Sequence, residues 1–210
     1  MDIIGRAHDL LVVRRRAEVL SEWFSELLPN AATVLDVGCG DGLLSSLISS
    51  KRSDLKIRGV DSLVREKSVI PVEKFDGRTI PYEDGTFDVV LFSDVLHHTS
   101  DPKVLLLEGH RVAAKCVLLK DHYRKGLAAG ARLRFMDWTG NARFGVSLPY
   151  NYWTERQWKQ AWEEVGLFPE KLINRLGLYP DLFDWIFGAD LHFIARLGIQ
   201  SGRNPQPRKL

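Results

Sequence analysis

Thr33-Val34-Leu35-Asp36-Val37-Gly38-Cys39-Gly40-Asp41-Gly42 decides the reading of this chain. Val34, Leu35 and Val37 form an apolar, partly β-branched run of the kind a buried strand uses, and the run leads into a turn with three alternate glycines. Beyond it, Leu43, Leu44, Leu47 and Ile48 recur at spacings of three and four, which predicts a helix with that face turned to a sheet. Strand, glycine turn and helix together make the front half of a nucleotide-binding βαβ unit. Alternate glycines let the backbone pass close to a ligand and take positive φ without a Cβ clash. A dinucleotide turn would read G-x-G-x-x-G, with pyrophosphate on the helix N-terminus. Here the spacing is G-x-G-x-G, Leu43 stands where that third glycine would be, and Asp36 and Asp41 flank the turn. Acidic flanks suit a ligand carrying an amino group better than a pyrophosphate.

Downstream, Leu55 to Val60 reads as a second strand ending at Asp61, an acid placed to accept hydrogen bonds from both ribose hydroxyls. Val69 to Phe75 is the third expected strand, with Asp76 and Gly77 just past its end. Glu83-Asp84-Gly85 is a turn, and Phe87 to Ser93 a buried fourth strand running into Asp94-Val95-Leu96-His97-His98. Asp101-Pro102 opens a helix, with Asp as N-cap and Pro at the first helical position, that would carry Val104, Leu105, Leu107 and Val112 inward. Cys116 to Lys120 is the fifth strand, with Asp121-His122-Tyr123 at its C-terminal end. Parallel α/β sheets bind ligands outside the carboxyl ends of their strands, so all these termini face one crevice.

Two stretches resemble a known family. Asp36 to Gly42 resembles motif I, D-x-G-x-G-x-G, of the class I S-adenosylmethionine-dependent methyltransferases, and Ile80-Pro81-Tyr82-Glu83-Asp84-Gly85-Thr86-Phe87-Asp88-Val89-Val90 resembles their "LPFxDGSFDxV" segment. The likeness covers about residues 30–122 with the motifs in order, and is greatest to the small-molecule, ubiquinone-biosynthesis-like "type 11" branch. It implies an α/β fold: a Rossmann-like seven-stranded sheet, mostly parallel with an antiparallel last strand, and helices on both faces. It also implies S-adenosylmethionine as cofactor, with Asp36, Gly38 and Gly40 around the amino acid end and Asp61 on the ribose. Asp76 and Gly77 would flank the adenine, Asp94 would lie beside the methionine portion, and Cys39, Ser62 and Ser93 complete the cofactor-binding set. One departure narrows the acceptor. The Asn-Pro-Pro-Tyr-like tetrapeptide of amino-directed DNA and protein methyltransferases is replaced by Ser93-Asp94-Val95-Leu96, which speaks against base or glutamine methylation.

The organisation expected is one methyltransferase domain over residues 1–200. An amphipathic helix at about 7–28 carries Leu10, Val13, Ala17, Leu20, Trp23, Phe24 and Leu27 on one stripe, within an N-terminal segment 1–30. Residues 124–153, rich in glycine and aromatics, break the alternation and read as an inserted, lid-like segment. Thr154-Glu155-Arg156-Gln157 is a capping box for a helix with Trp158, Ala161, Trp162 and Val165 on one face, stopped by Gly166. Two strands, about Phe168 to Leu176 and Leu191 to Leu197, close the sheet. Between them the apolar run from Pro180 to Gly188 reads as a short helix covering the sheet edge, with a dimer or membrane-surface patch as the alternative. Residues 201–210, with two prolines and no apolar period, are expected to be disordered.

Composition bounds the partners. At 210 residues, 27% charged, 45% hydrophobic and net charge +2, the chain is an ordinary globular one without the charge that nucleic acid binding calls for. Arg14-Arg15-Arg16, the densest basic run, reads as a solvated helix face. No segment reads as a signal peptide or an integral membrane span, and two lone cysteines, Cys39 and Cys116, suggest free thiols in the cytoplasm. A small-molecule substrate is the expected partner, with a homodimer left open. His97, His98 and His122 are the candidate bases, needed only if an acceptor must lose a proton early, with Asp121 and Tyr123 near them. No metal-ligand spacing is visible. The alternatives are a catalytically silent cofactor-binding module serving as a partner's regulatory subunit and, more distantly, an NAD-dependent oxidoreductase.

Overall fold

Seven strands lie side by side in the order β3-β2-β1-β4-β5-β7-β6. The computed structural model describes residues 13–126, 128–141, 149–179, 184, 188 and 190–200. The elements run α1 (Arg14–Leu27), β1 (Thr33–Val37), α2 (Leu43–Lys51), β2 (Lys56–Asp61), β3 (Val72–Lys74) and β4 (Phe87–Ser93). A 3-10 turn (Leu96–His98), α3 (Pro102–Val112), β5 (Ala113–His122), α4 (Ala129–Asn141), α5 (Glu155–Val165), β6 (Leu167–Ile173) and β7 (His192–Ile199) follow. The pairs β1–β2, β1–β4, β2–β3 and β4–β5 are parallel, whereas β7 runs antiparallel to both β5 and β6. This is the Rossmann-like, mostly parallel sheet with an antiparallel last strand. The strand order reverses between β1 and β4, and that switch point is where open α/β sheets take ligands.

Alternation along the strands divides the core in two. Leu35 and Val37 of β1, Val90 and Phe92 of β4, and Val117 and Leu119 of β5 pack with Leu105 and Leu106 of α3 and Trp158 and Trp162 of α5. Val34, Val89, Leu91, Cys116 and Leu118 face the other way, against Leu20, Phe24 and Leu27 of α1 and Ile48 of α2. Helices therefore cover both faces, as expected.

Several local expectations shift. The buried face of α2 is Ser45 and Ile48, with Leu44 packed beside them, and Leu43 and Leu47 are only half-buried. Leu106, not Leu107, points inward from α3, and Leu107 is exposed. The third strand is only Val72–Lys74, and Val69 lies exposed ahead of it. β5 is longer than Cys116 to Lys120 because β7 pairs with it through Asp121↔Phe193 and His122↔His192, which carries both residues inside the strand. In α1, Val13 is exposed, and Arg16 does not belong to a solvated face, since it is partly buried in an ion pair. The first 12 residues, the tail 201–210 and most of the run 180–189 lie outside the described residues, as do 127 and 142–148 of the predicted insertion. Among the described residues no helix is long and apolar enough to cross a membrane.

The capping box is formed in full: Thr154 accepts from Gln157 N at 3.3 Å, Gln157 Oε1 accepts from Thr154 N at 2.9 Å, and Gly166 ends the helix at φ 85°. This fixes where Trp158 enters the core, 0% exposed, its Nε1 donating to the His122 carbonyl at 3.0 Å. Trp158→Ala is expected to lower the unfolding free energy by about 3–5 kcal/mol, and Thr154→Ala by about 1 kcal/mol, both read from urea denaturation midpoints at constant slope.

Candidate functional site

The floor of the site is the glycine turn after β1. Gly38 N donates to the Val60 carbonyl at 2.7 Å, and Gly38 takes φ 75°, where a side chain is strained. A Cβ on Gly38 would sit 2.6 Å from Val95 Cγ2, so only glycine lets the β1 and β4 ends approach this closely. Asp61, at the end of β2, accepts from Gly40 N through Oδ2 and from Leu63 N through Oδ1, both at 2.8 Å. Asp36 faces α2, is 2% exposed and accepts from the Ser45 hydroxyl at 2.6 Å. Burial raises its pKa to about 6, with the Ser45 bond opposing and the charge of Asp61 adding. Cys39 is half-buried, and burial among carboxylates keeps its thiol protonated.

Two cavities open around this floor. The first, about 510 Å3, is walled by Gly38, Gly40, Asp61 and Ser62 on one side and by Phe75, Gly77, Arg78, Val104 and Leu105 on the other. The second, about 440 Å3, lies under α1 and α4 and is walled by Arg16, Asp36, Cys39, Ser93, His122 and Asp137, among others. Gly38, Gly40, Arg65, Asp94 and His98 line both. Asp76 stands apart: exposed, it uses Oδ1 to accept from Arg78 N and Thr79 N, both at 2.7 Å, and this holds its pKa low.

Asp94 is the hinge between the cavities. It leaves β4 at φ 58°, in the left-handed region that non-glycine residues seldom adopt. Its Oδ1 receives the Lys120 ammonium, and its Oδ2 receives Arg16 Nη2 at 3.1 Å. Burial works against its charge, but Lys120, Arg16 and His97 hold the carboxyl well below the usual carboxylate range. Lys120 is 0% exposed and lies 3.2 Å from His192 Nδ1. Burial pulls its pKa down and Asp94 partly restores it.

The three candidate histidines occupy three different environments. His97 is buried; its Nδ1 lies 2.7 Å from Asp121 Oδ1, and its Nε2 lies 3.4 Å from Asp137 Oδ2 without hydrogen-bond alignment. Burial disfavours its charge, yet the two carboxylates raise its pKa to about 10, so the ring keeps its proton at neutral pH. It is not among the residues that wall either cavity. His98, half-buried on both cavities, is kept neutral by burial and by His97, with its pKa lowered to about 4. His122 walls the second cavity, and burial and Lys120 push its pKa well below the usual histidine value. Tyr123 is buried against Phe193, with burial raising its phenol pKa.

The profile of the methyltransferase domain family matches residues 12–171. The chain belongs to that family. It is 34% identical over 85 residues to an uncharacterized methyltransferase of Mycobacterium sp. (strain KMS), a match covering 37% of this chain and 33% of that protein. It is 31% identical over 86 residues to the ubiquinone biosynthesis O-methyltransferase of Paraburkholderia xenovorans (strain LB400), covering 35% of this chain and 36% of the relative. The matched segment thus spans about a third of these curated relatives. The solved S-adenosylmethionine-dependent methyltransferase from Aquifex aeolicus shares the fold at TM-score 0.56 and 21% identity, over 85% of this chain and 89% of that one.

Within this methyltransferase domain, sequence reasoning passed over Ser45 and Asp137, read Arg16 as solvated and Lys120 only as a strand end, and had Tyr152 among the aromatics of residues 124–153 that could line a substrate pocket. A lysine straight after Val117-Leu118-Leu119 was the one legible signal, because a cation in a buried strand needs a partner. Asp36 yields a test of sign. Its unfolded carboxyl titrates near 3.9, while the folded pKa is about 6, so in that interval the folded chain holds a proton the unfolded chain lacks. Its stability contribution is therefore present at low pH and lost as pH rises through the folded pKa. Asp36→Asn is expected to gain about 2–3 kcal/mol over the parent between pH 4 and pH 7. Urea unfolding at both pH values measures this, and a pH-independent difference would contradict it.

Proposed function

We propose that the chain is an S-adenosylmethionine-dependent methyltransferase that moves a methyl group to a small-molecule acceptor by in-line displacement. One observation carries this reading: the motif I turn, Asp61 and Asp94 converge at the sheet's switch point on two adjoining cavities that share a wall. The residues fit the cofactor. A Cβ at Gly38 would fill the cradle, the first cavity is of the size that cofactor sites have, and it runs from a carboxylate to an apolar end. Each oxygen of Asp61 accepts one backbone N–H and keeps a second acceptor position for a ribose hydroxyl. Ser62 lies beside it, Phe75 and Gly77 would wall the adenine end with Asp76 next to them, and Gly38 and Gly40, common to both cavities, would lie at the amino acid end, with Asp36 and Cys39 approaching it from the second cavity. Ser93 and Asp94 stand by the methionine portion, and Arg16 and Lys120 fix the direction of the Asp94 carboxylate.

When bound, the cofactor supplies a methyl on a sulfonium, a leaving group that departs neutral. Alignment and exclusion of water then carry most of the catalysis. The second cavity would hold the acceptor, with α4 and residues 149–153 acting as a lid. His97 is a poor base because its proton is held between carboxylates. His98 and His122 are neutral and on the wall but weakly basic. The ubiquinone-type relative points to an oxygen acceptor. Both cysteines are free thiols, which suits the cytoplasmic setting we propose.

Calorimetric titration with S-adenosylmethionine, in parallel with NADH, tests the reading. Micromolar binding of S-adenosylmethionine alone is expected, weakened about 10- to 100-fold by Asp61→Ala through loss of hydrogen bonds to a charged acceptor. Absence of S-adenosylmethionine binding, or tighter binding of NADH, would overturn it.

A further inference from the structure

A ring nitrogen of His97, a ring nitrogen of His98 and a carboxylate oxygen of Asp137 lie within 4.8 Å of one another. They come from the turn after β4 and from α4, so no local spacing announces them. His97 Nδ1 is engaged by the buried Asp121, which leaves Nε2 open 3.4 Å from Asp137 Oδ2. A carboxylate behind one ring nitrogen and an open second nitrogen is the arrangement that orients metal-ligating histidines. That Nε2 belongs to a side chain 1% exposed and has no hydrogen-bond partner, and neither has the buried Nδ1 of His98. The 3.4 Å between His97 Nε2 and Asp137 Oδ2 is close to the edge of a tetrahedron built on zinc–nitrogen bonds, about 3.3 Å. Asp137 is itself held by the Tyr152 hydroxyl.

A second combination, Asp94 with His97 and His122, meets the same distance criterion. It is the poorer site, because Lys120 and Arg16 already occupy both Asp94 oxygens with positive charge.

We infer that His97, His98 and Asp137 form a Zn2+ site whose open fourth position faces the second cavity. Two imidazoles and one carboxylate with one position open is the donor set of catalytic zinc, and imidazole selects it over Mg2+. The site's function rests on the methyl-transfer reading: the open position takes an acceptor hydroxyl, which makes oxygen the methylated atom. Coordination lowers the hydroxyl pKa toward neutrality, so its proton leaves to solvent without a histidine base. The oxygen then forms the new bond to the methyl carbon while the carbon–sulfur bond breaks and its electron pair stays on sulfur.

The test titrates Zn2+ into chelator-treated, full-length protein against a chromophoric competitor, with Mg2+ in parallel. S-adenosylmethionine titration of the same samples keeps the two readings distinguishable. One Zn2+ per chain is expected, Mg2+ failing to displace it; His98→Ala and Asp137→Asn should each weaken Zn2+ about 100-fold, and Asp137→Asn, which lies on the second cavity alone, should do so with S-adenosylmethionine affinity kept. Co2+ in its place should give the visible absorption of a tetrahedral centre. Half-exposed His98 makes His98→Ala the variant safest for folding. Zn2+ affinity equal in parent and variants, no stoichiometric Zn2+, or displacement by Mg2+ would each overturn the site, whatever the cofactor titration gives.

Discussion

Lys120 lies near the C-terminal end of β5, opposite Ser93 at the end of β4, fully buried and with its ammonium on Asp94. An isolated ammonium there would cost several kcal/mol, so the strand is tolerable only if β4 delivers a carboxylate to the same place. β4 does so by turning at Asp94 into positive φ, a conformation that costs on the order of 1–3 kcal/mol and persists only where its surroundings demand it. That turn brings Val95 over Gly38, which is why position 38 carries no side chain. Arg16 brings a second cation to the same carboxylate from α1, and so ties the N-terminal helix over the second cavity. One buried ion pair thus sets the end of β4, the shape of the glycine turn and the roof of the site.

A second chain of polar contacts leaves from the neighbouring residue. Asp121 holds His97, His97 reaches Asp137 on α4, and Tyr152 donates to Asp137 from the segment before α5. Neither Asp121 nor His97 is balanced by solvent, so each depends on the other keeping its charge. α4 is therefore tied to the sheet through a polar contact as well as through Ala129 and Leu133, which pack with Tyr152 and Leu191.

What the chain discloses as a sequence follows from the range of the interactions involved. β1, α2, β2 and β4 are visible because burial of alternate or three-four-spaced side chains is a local pattern, and the N-cap at Asp101 and the capping box at Thr154 are local hydrogen bonds. The error at α2 has the same root. Four apolar residues suggested the buried face, but the position nearest the sheet holds Ser45, because Asp36 on β1 needs a donor there. The antiparallel pairing that lengthens β5 to His122 is decided by β7, 70 residues away at His192, and nothing in Asp121-His122 announces it. Arg16 looked like part of a basic run because its partner lies 78 residues on.

The histidines show most plainly why residue type and strand-end position do not assign chemistry. His97 and His98 are adjacent with rings 4.1 Å apart, yet two carboxylates raise one pKa to about 10 while burial and that neighbouring charge lower the other to about 4. The shifts are coupled: the proton on His97 is part of the reason His98 has none. Any event that removes the His97 proton or replaces it with another cation changes what His98 can accept on the cavity wall. The charge on His97 is set by Asp121 from β5 and Asp137 from α4, so the position of α4 against the turn after β4 and the charge beside the second cavity are linked.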